Sequence, residues 1–289
     1  MRRRAALALV AALLVGACGS EDDPALSGVT TTTAAGTAPG DDGGTTVPAT
    51  TPGGAPLPTT ATGETVTTVA PATPASPDVS GPPGSAAAFY LRAAPATSIV
   101  LEVSAEAGAE PAGGTVDHVR ATLAEVSGKP VSVAGGGALP SREAWTADEL
   151  RAAADAASSA SQGELAVLRL LFVHGRYADA ENVLGVAVRA DVAAIFSDAV
   201  EDSASPLIGP GAIEAAVTTH EVGHLLGLVD LHLKTGRADP DHPGHSPNQR
   251  SVMYWAVEST LVTDLLTGGP PRDFDDADRA DLAAIRNGA

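Results

Sequence analysis

The stretch "HEVGHLLGLVDLHLKTGRADPDHPGHSPNQRSVMYW", residues 220–255, decides how this chain can be interpreted. It opens with the pattern His-Glu-x-x-His. His220 and His224 are four residues apart, so on a helix they project from the same face and can bind one metal ion. Imidazole nitrogen is a preferred ligand of zinc. The stretch therefore predicts a zinc site to which these two side chains contribute.

Glu221 lies beside the first histidine. In zinc sites of this pattern the glutamate does not bind the metal but takes a proton from the attacking water. The surrounding residues 211–228 are mostly apolar, which predicts a buried helix. Two buried histidines and a buried glutamate need partners that offset their desolvation. A metal ion supplies such a partner, so the pattern favours a zinc site over a solvent-facing helix with two incidental histidines.

Two further residues extend the motif. Gly227 follows the second histidine by three positions, and Met253 lies downstream in "SVMYW". Over residues 211–256 this combination resembles the metzincin metalloproteases. The resemblance implies an α+β fold with a mixed twisted sheet, an active-site helix and a C-terminal helix. It also implies that Gly227 lets the helix end and the chain turn back, and that Met253 lies in a tight turn beneath one catalytic zinc ion.

The third zinc ligand has two candidates. Asp230 stands three residues after the glycine, and with Asp230 as ligand the motif resembles the snapalysin variant. His245 is followed by Ser246, four residues, Ser251, one residue and Met253. That spacing is similar to the archaemetzincins, whose third histidine precedes Cys-x-x-x-x-Cys-x-Met. We favour His245 because it stands in register with the methionine turn, and keep Asp230 as the alternative.

The serines at the two cysteine positions have a consequence for the metal count. Archaemetzincins bind a second, structural zinc through cysteines, and serine cannot replace them there. The resemblance therefore implies a single zinc ion. His232 and His242 are expected to be loop residues, and Asp241 is a candidate to orient a ligand. The segment "LGVAVRADVAAIFSD", just before the helix, could supply the edge strand that binds extended substrate in metzincins.

Periodicity and end signals predict the elements of the domain. Thr115 is a plausible N-cap, and Thr146 with Glu149 forms a capping box. One or two strands are expected within residues 182–200. The other predicted strands are 98–106, 130–134 and 164–173, the last of them central, and the predicted helices are 114–128, 146–157, 211–228 and 273–288.

The chain begins "MRRRAALALVAALLVGACGS". A basic start, a short apolar run and small residues predict a signal peptide over residues 1–18. Val15 to Cys18 resembles the bacterial lipobox, and Cys18 is the only cysteine of the chain. We therefore expect an exported protein that is lipid-anchored at Cys18 to the outer face of the bacterial cell membrane, with plain secretion as the alternative.

Composition divides the remainder in two. Residues 19–85 are rich in Thr, Pro and Gly and predict a disordered linker that holds a domain away from the membrane. Residues 86–289 form one domain of ordinary size. This domain has 28 acids against 14 bases, a net charge of −14 with neutral histidines. Such a charge argues against nucleic acid as a partner.

These features of the sequence are compatible with two functions from different classes. The first is a zinc-dependent endopeptidase that hydrolyses peptide bonds with Glu221 as general base and acts on peptide or protein substrates at the cell surface. The second is a non-catalytic surface lipoprotein whose zinc site is structural or vestigial. Glu221 favours the first, because a purely structural site fills all four zinc positions and has no use for a general base.

Overall fold

The computed structural model describes residues 78–265 and 268–289. The predictions of a signal peptide, of lipidation at Cys18 and of most of the linker lie outside these residues. Within the described ranges, no helix is long and apolar enough to cross a membrane.

A five-stranded sheet forms the centre of the domain. Its strand order is β2-β1-β4-β7-β6, with β6 antiparallel to β7 and every other pair parallel. The short strands β3 and β5 pair with each other in a separate parallel sheet. The strands are β1 Ser98–Ala105, β2 Val131–Gly135, β3 Ala144–Trp145, β4 Leu165–Val173, β5 Arg176–Tyr177, β6 Gly185–Arg189 and β7 Val192–Phe196.

Helices connect and cover these strands. They are α1 Ala87–Leu91, α2 Thr115–Ser127, α3 Ala147–Ala157, α4 Ser197–Asp202, α5 Pro210–Leu225, α6 Val262–Leu265 and α7 Asp276–Arg286, with a 3-10 helix at Trp255–Glu258. This arrangement of a mixed sheet, a long buried helix carrying the His-Glu-x-x-His pattern and a closing helix confirms the predicted α+β fold class.

One charged residue, Arg169, interrupts the apolar run of the central strand β4. Every residue of β4 after Leu165 is buried, as expected for a strand covered on both faces of a parallel sheet. Arg169 is among them, and its guanidinium pairs with Glu102 at 3.2 Å and with Asp191. These carboxylates offset the desolvation of the buried cation.

Of the two predicted helix N-caps, one is confirmed and one is wrong. The capping box of Thr146 and Glu149 is present, with the backbone nitrogen of Glu149 donating to the Thr146 hydroxyl at 3.3 Å. The prediction that Thr115 is the N-cap of α2 is wrong. Gly114 occupies that position with φ +94°, and Thr115 is already the first helical residue and is buried. A glycine reaches this left-handed conformation without steric cost, so the chain enters the helix one residue earlier.

The described chain begins inside the segment that the sequence assigns to the linker. The carbonyl oxygen of Gly81 accepts a hydrogen bond from the backbone nitrogen of Ala190 at 2.9 Å. Gly84 has φ +82°, and a Cβ there would lie 2.9 Å from the Cβ of Leu231. These contacts attach the end of the segment to the domain.

Edge strand β6 crosses the long helix α5 very closely. A Cβ on Gly185 would lie 2.7 Å from a methyl carbon of Val217 and 3.0 Å from the Cγ of Glu221. Only glycine permits this approach, since real Cβ atoms do not come so near to other heavy atoms. The edge strand therefore runs directly beside the predicted general base.

Candidate metal centre

The first two candidate ligands come from α5, in which every residue from Ile213 to Leu225 is buried. His220 is fully buried and His224 is 8% exposed. Their spacing places both rings on one helix face, and their Nε2 atoms lie 3.0 Å apart. The two nitrogens therefore converge on one point, as a shared metal ion requires.

The ring of His220 is oriented by the chain that follows the loop. Its Nδ1 lies 2.7 Å from the carbonyl oxygen of Val252, which can only accept a hydrogen bond. Nδ1 must therefore carry the proton, which leaves a lone pair on Nε2 for a metal. Such a partner on the second ring nitrogen is the usual feature of a metal-binding histidine.

His245 joins these two side chains after the long loop. Gly227, with φ +81°, follows the end of α5, and its carbonyl oxygen accepts from the backbone nitrogen of His232 at 3.0 Å as the chain turns back. The ring centre of His245 then lies 5.2 Å from that of His220 and 5.1 Å from that of His224. Three imidazoles thus surround one point.

The carboxylate of Asp230, the alternative ligand, forms hydrogen bonds within the loop. Its carboxylate accepts from the backbone nitrogens of Thr235 at 2.7 Å, Gly236 at 3.0 Å and Ala238 at 3.2 Å. Both oxygens therefore hold the turn of the loop. Asp230 does not belong to the group of converging side chains, which contains His245.

Glu258 completes this group, although it was not among the ligands predicted from the sequence. It ends the 3-10 helix Trp255–Glu258, and its carboxylate oxygens lie 3.0 Å from Nε2 of His245 and 3.4 Å from Nε2 of His220. The signal available in the sequence was weak, since a single acid five residues after Met253 matches no ligand spacing. The path of the chain alone brings it to the histidines.

The four side chains fit a zinc ion. One ligand atom from each of His220, His224, His245 and Glu258 lies within 4.8 Å of all the others. Zinc–nitrogen bonds of about 2.0–2.1 Å in a tetrahedron separate the ligand atoms by roughly 3.3–3.4 Å. The 3.0–3.4 Å separations observed for three of the pairs are close to that edge length. Within the described part of the chain this is the one such group.

Unsatisfied polar atoms point to the same place. Nδ1 of His224, both ring nitrogens of His245 and both carboxylate oxygens of Glu221 are buried without a hydrogen-bond partner among the described residues. Nε2 of His245 and a carboxylate oxygen of Glu258 are 3.0 Å apart but lack hydrogen-bond alignment. Orphaned groups of this kind are costly, and a metal ion would remove that cost for Nε2 of His245, the ring nitrogen that lies nearest to Glu258.

Met253 lies beneath the two helical histidines. It is fully buried, and a Cβ added to Gly223 would overlap its sulfur atom. Gly223 is the last residue before His224, so the methionine packs directly against the helix turn that carries both histidines. The glycine inside His-Glu-Val-Gly-His is therefore needed for this contact.

The two serines at the cysteine positions hold the turn around Met253. The hydroxyl of Ser251 donates to Asp278 at 2.6 Å and accepts from the backbone nitrogen of Met253 at 2.9 Å. The backbone nitrogen of Ser246 donates to the carbonyl oxygen of Met253 at 2.8 Å. Both serines are fully buried. The hydrogen bond from Ser251 thus connects the turn around Met253 to α7.

The remaining candidates of the loop do not contact the cluster. His232 lies 3.2 Å from the carbonyl oxygen of Gly84, and the ring of His242 stacks on Trp255 with centres 4.3 Å apart. Asp241 is exposed. Because Nδ1 of His245 has no hydrogen-bond partner among the described residues, Asp241 does not orient that ring here.

Glu221 lies beside the cluster but is not part of it. Burial raises its pKa well above the usual range, and the negative charge of Glu258 raises it further. The pKa of His224 is lowered well below its usual value by burial and by the neighbouring His220 and His245. Neutral imidazole is the form that binds a metal, so the surroundings of His224 favour the ligand state.

Comparison with solved structures concerns the fold. Those to which this chain is similar include two archaemetzincins and a zinc-dependent peptidase. A crystal structure of archaemetzincin from Methanopyrus kandleri is 20% identical, covers 65% of this chain and 96% of that one, and gives a TM-score of 0.45. Archaemetzincin from Archaeoglobus fulgidus is 14% identical over 65% of this chain and 99% of that one, with a TM-score of 0.36. A zinc-dependent peptidase from Methanocorpusculum labreanum is 17% identical over 63% of this chain and 99% of that one, with a TM-score of 0.40.

Sequence comparison gives no match. No protein-family model and no curated protein matches this chain.

Proposed function

We propose that this protein is a zinc-dependent endopeptidase. The observation that carries the proposal is the convergence of three imidazoles beside Glu221, a buried carboxylate that has no hydrogen-bond partner among the described residues. Beside a metal position such a carboxylate has the placement of a general base.

The residues of the site have two roles in the proposed reaction, zinc binding and proton transfer. His220, His224 and His245 would hold the zinc ion, which supplies Lewis-acid chemistry that polarises a scissile carbonyl and acidifies water. Glu221 takes the proton of the attacking water and delivers it to the leaving amine. Burial raises the pKa of the Glu221 carboxyl, which favours its taking up this proton.

The edge strand β6 is the proposed substrate platform. It lies at one end of the sheet order, so one of its sides is free of strand pairing in the sheet. An extended peptide can add to such an edge through backbone hydrogen bonds. Because Gly185 of β6 lies against Glu221, a peptide bound along this edge would present its backbone to the proposed general base.

One observation favours the structural alternative. Glu258 supplies a fourth potential ligand, and a site with four protein ligands is typical of structural zinc. In that case the ion would brace the loop 226–245 against α5 and would leave no position for substrate. The two functions therefore predict different behaviour of a variant at Glu221.

The test compares Glu221→Gln with wild type and with Glu214→Gln as control. Glu214 is also buried and lies on the same helix, but it holds the backbone nitrogen of Ala112 at 2.7 Å. For wild type we expect one zinc per chain and chelator-sensitive cleavage of an extended-peptide library. Glu221→Gln should keep the zinc and lose activity by roughly 10²–10⁴. The control should stay within a few-fold of wild type. Zinc binding without any cleavage by wild type would favour the structural alternative.

The place of action is a further part of the proposal. A lipid on Cys18 would anchor the protein to the outer face of the bacterial membrane, and residues 19–85 would separate the domain from the lipid surface. The lipobox-like sequence and the linker composition support this. Substrates would then be peptides or proteins outside the cell.

A further inference from the structure

The Glu258 carboxylate lies within 3.4 Å of the converging nitrogens of His220 and His245. We propose that Glu258 is a displaceable fourth zinc ligand, which closes the site in the resting protein and rotates away when a substrate or an inhibitor anion enters. This inference rests on the proposed zinc peptidase and concerns the regulation of the same site.

The distances place the carboxylate within the coordination shell. Its oxygens lie 3.0 Å from Nε2 of His245 and 3.4 Å from Nε2 of His220. Neighbouring corners of a zinc tetrahedron are roughly 3.3–3.4 Å apart when the bonds are about 2.0–2.1 Å long. Glu258 therefore lies at the distance of a ligand. A residue that only orients one of the histidines would lie behind the ring, as the carbonyl of Val252 does.

The backbone of Glu258 is held, so only its side chain is free to move. Its carbonyl oxygen accepts from the backbone nitrogen of Leu184 at 2.7 Å, and the backbone nitrogen of Thr260 donates to the carbonyl oxygen of Asn182 at 3.0 Å. Val183 and Ser259 form an antiparallel bridge between these two bonds. The carboxylate can leave by rotation about its side-chain bonds, without any movement of the loop.

The side chain of Glu258 is also more exposed to solvent than those of His245 and His220. Its side chain is 21% exposed, against 15% for His245 and 0% for His220. The imidazole of His220 is further restrained by its hydrogen bond to Val252. An incoming ligand would therefore reach Glu258 first and would displace the least restrained member of the set.

The segment of Glu258 lies in line with the proposed substrate strand. Residues 258–260 pair with residues 182–184, and β6 begins directly afterwards at Gly185. The chain thus occupies one end of the same edge that a peptide would use. A carboxylate entering from that end would hold the fourth zinc position until a peptide binds along β6.

A closed set of four ligands also has an electrostatic consequence. The carboxylate reduces the net charge of a bound zinc ion to +1 and weakens its attraction for the electrons of a further ligand. Displacement of Glu258 restores both the open position and the full charge. This reconciles a four-ligand cluster with the presence of a general base at Glu221.

The experiment measures metal and inhibitor affinity and does not depend on activity. The purified full-length protein is compared with Glu258→Gln, Glu258→Ala and the control Glu181→Gln, an exposed acid that adjoins the pairing segment 182–184. Zinc affinity is measured by competition with a chromogenic chelator. Acetohydroxamate affinity is measured from the visible spectrum of the cobalt-substituted protein. Melting temperatures identify variants that fail to fold, and the glutamine variant keeps the shape of the side chain.

We expect the zinc dissociation constant to rise at least about tenfold in both Glu258 variants, since even residues that only orient a ligand contribute 10–100-fold. Acetohydroxamate should bind at least about tenfold more tightly, because the competing carboxylate is gone. The control should match wild type. Unchanged zinc affinity would show that Glu258 is not a ligand. Lower zinc affinity with unchanged hydroxamate affinity would show a permanent ligand, and either result overturns the proposal.

These outcomes are separable from failure of the proposed function. A wild-type protein that binds no zinc would overturn both. A wild-type protein that binds zinc and cleaves peptides, with Glu258 variants identical to it in both affinities, would overturn this inference alone.

Discussion

Nδ1 of His220 and the carbonyl oxygen of Val252 are 2.7 Å apart, and Val252 is the residue immediately before Met253. One hydrogen bond thus connects the first histidine of α5 to the turn beneath the cluster. The turn itself is held by Ser251, whose hydroxyl donates to Asp278 of α7. The position of the metal centre therefore depends on contacts between α5, the turn and the C-terminal helix.

The choice between His245 and Asp230 can be tested by a pair of substitutions. His245→Ala removes a member of the converging group, so zinc affinity and peptide cleavage should both be lost. Asp230→Asn should keep the zinc, because this carboxylate binds backbone nitrogens of the loop. It should lower the free energy of unfolding by about 1–2 kcal/mol, since a charged acceptor is replaced by a weaker one.

Metal analysis and thermal melting of the two purified variants decide this point. Loss of zinc from Asp230→Asn together with full zinc occupancy in His245→Ala would establish the aspartate as the ligand and our choice as wrong.

Gly223→Ala tests the contact between α5 and Met253. The new methyl group would overlap the sulfur of Met253 and lie 3.0 Å from a ring carbon of Phe274. Overpacking of this kind typically costs about 1–3 kcal/mol, and the higher helix propensity of alanine returns up to about 1 kcal/mol. We expect a net loss of about 1–2 kcal/mol in unfolding free energy and weaker zinc binding.

Gly211→Ala is the matched control for that change. It lies in the first turn of the same helix, where the nearest atom to an added Cβ is the Cβ of Ala112 at 3.3 Å. Its stability in chemical denaturation should stay within about 0.5 kcal/mol of wild type. Equal stability of Gly223→Ala and wild type would mean that Met253 is not packed against the helix as described.

Lys129 should make the protein more stable as the pH rises above 8. The lysine is buried, its Nζ donates to the carbonyl oxygen of Phe89 at 3.0 Å, and burial lowers its pKa to about 8. In the unfolded chain the pKa is about 10.4. Between these values the unfolded chain binds more protons than the folded protein, so the free energy of unfolding rises with pH. Below pH 8 both forms are charged and this contribution is constant.

The measurement is a series of melting temperatures between about pH 7 and 9.5, below the range in which tyrosines titrate. Lys129→Met removes the titrating group while keeping an unbranched side chain. Its melting temperature should be nearly flat over this interval. The same pH dependence in wild type and variant would assign the effect to other groups.

Acylation of Cys18 is the expected outcome for the N-terminus. Metabolic labelling with a lipid analogue should tag wild type, and the tag should be absent from Cys18→Ser, since this is the only cysteine of the chain. Wild type should fractionate with membranes. Release of both forms as soluble, unlabelled protein would favour the alternative of secretion.

Local patterns predicted much of the fold. The capping box at Thr146 and Glu149, the buried central strand and the helix with His-Glu-x-x-His all depend on neighbours in sequence, which a spacing rule can represent. The shared orientation of His220 and His224 could also be predicted from the sequence, because residues four apart share a face in any α-helix.

The rest of the metal centre depends on distant parts of the chain. Spacing left both His245 and Asp230 open as the third ligand, because the loop of fourteen residues between them can bring either end toward the metal. In the tertiary structure Asp230 accepts hydrogen bonds from backbone nitrogens of the loop, and the ring of His245 lies beside that of His224 on α5. Glu258 had no recognisable signal, since its position follows from backbone pairing with residues 182–184. The sequence by itself therefore determined the helix and its two histidines, whereas the third and fourth side chains were decided by long-range packing that no local spacing encodes.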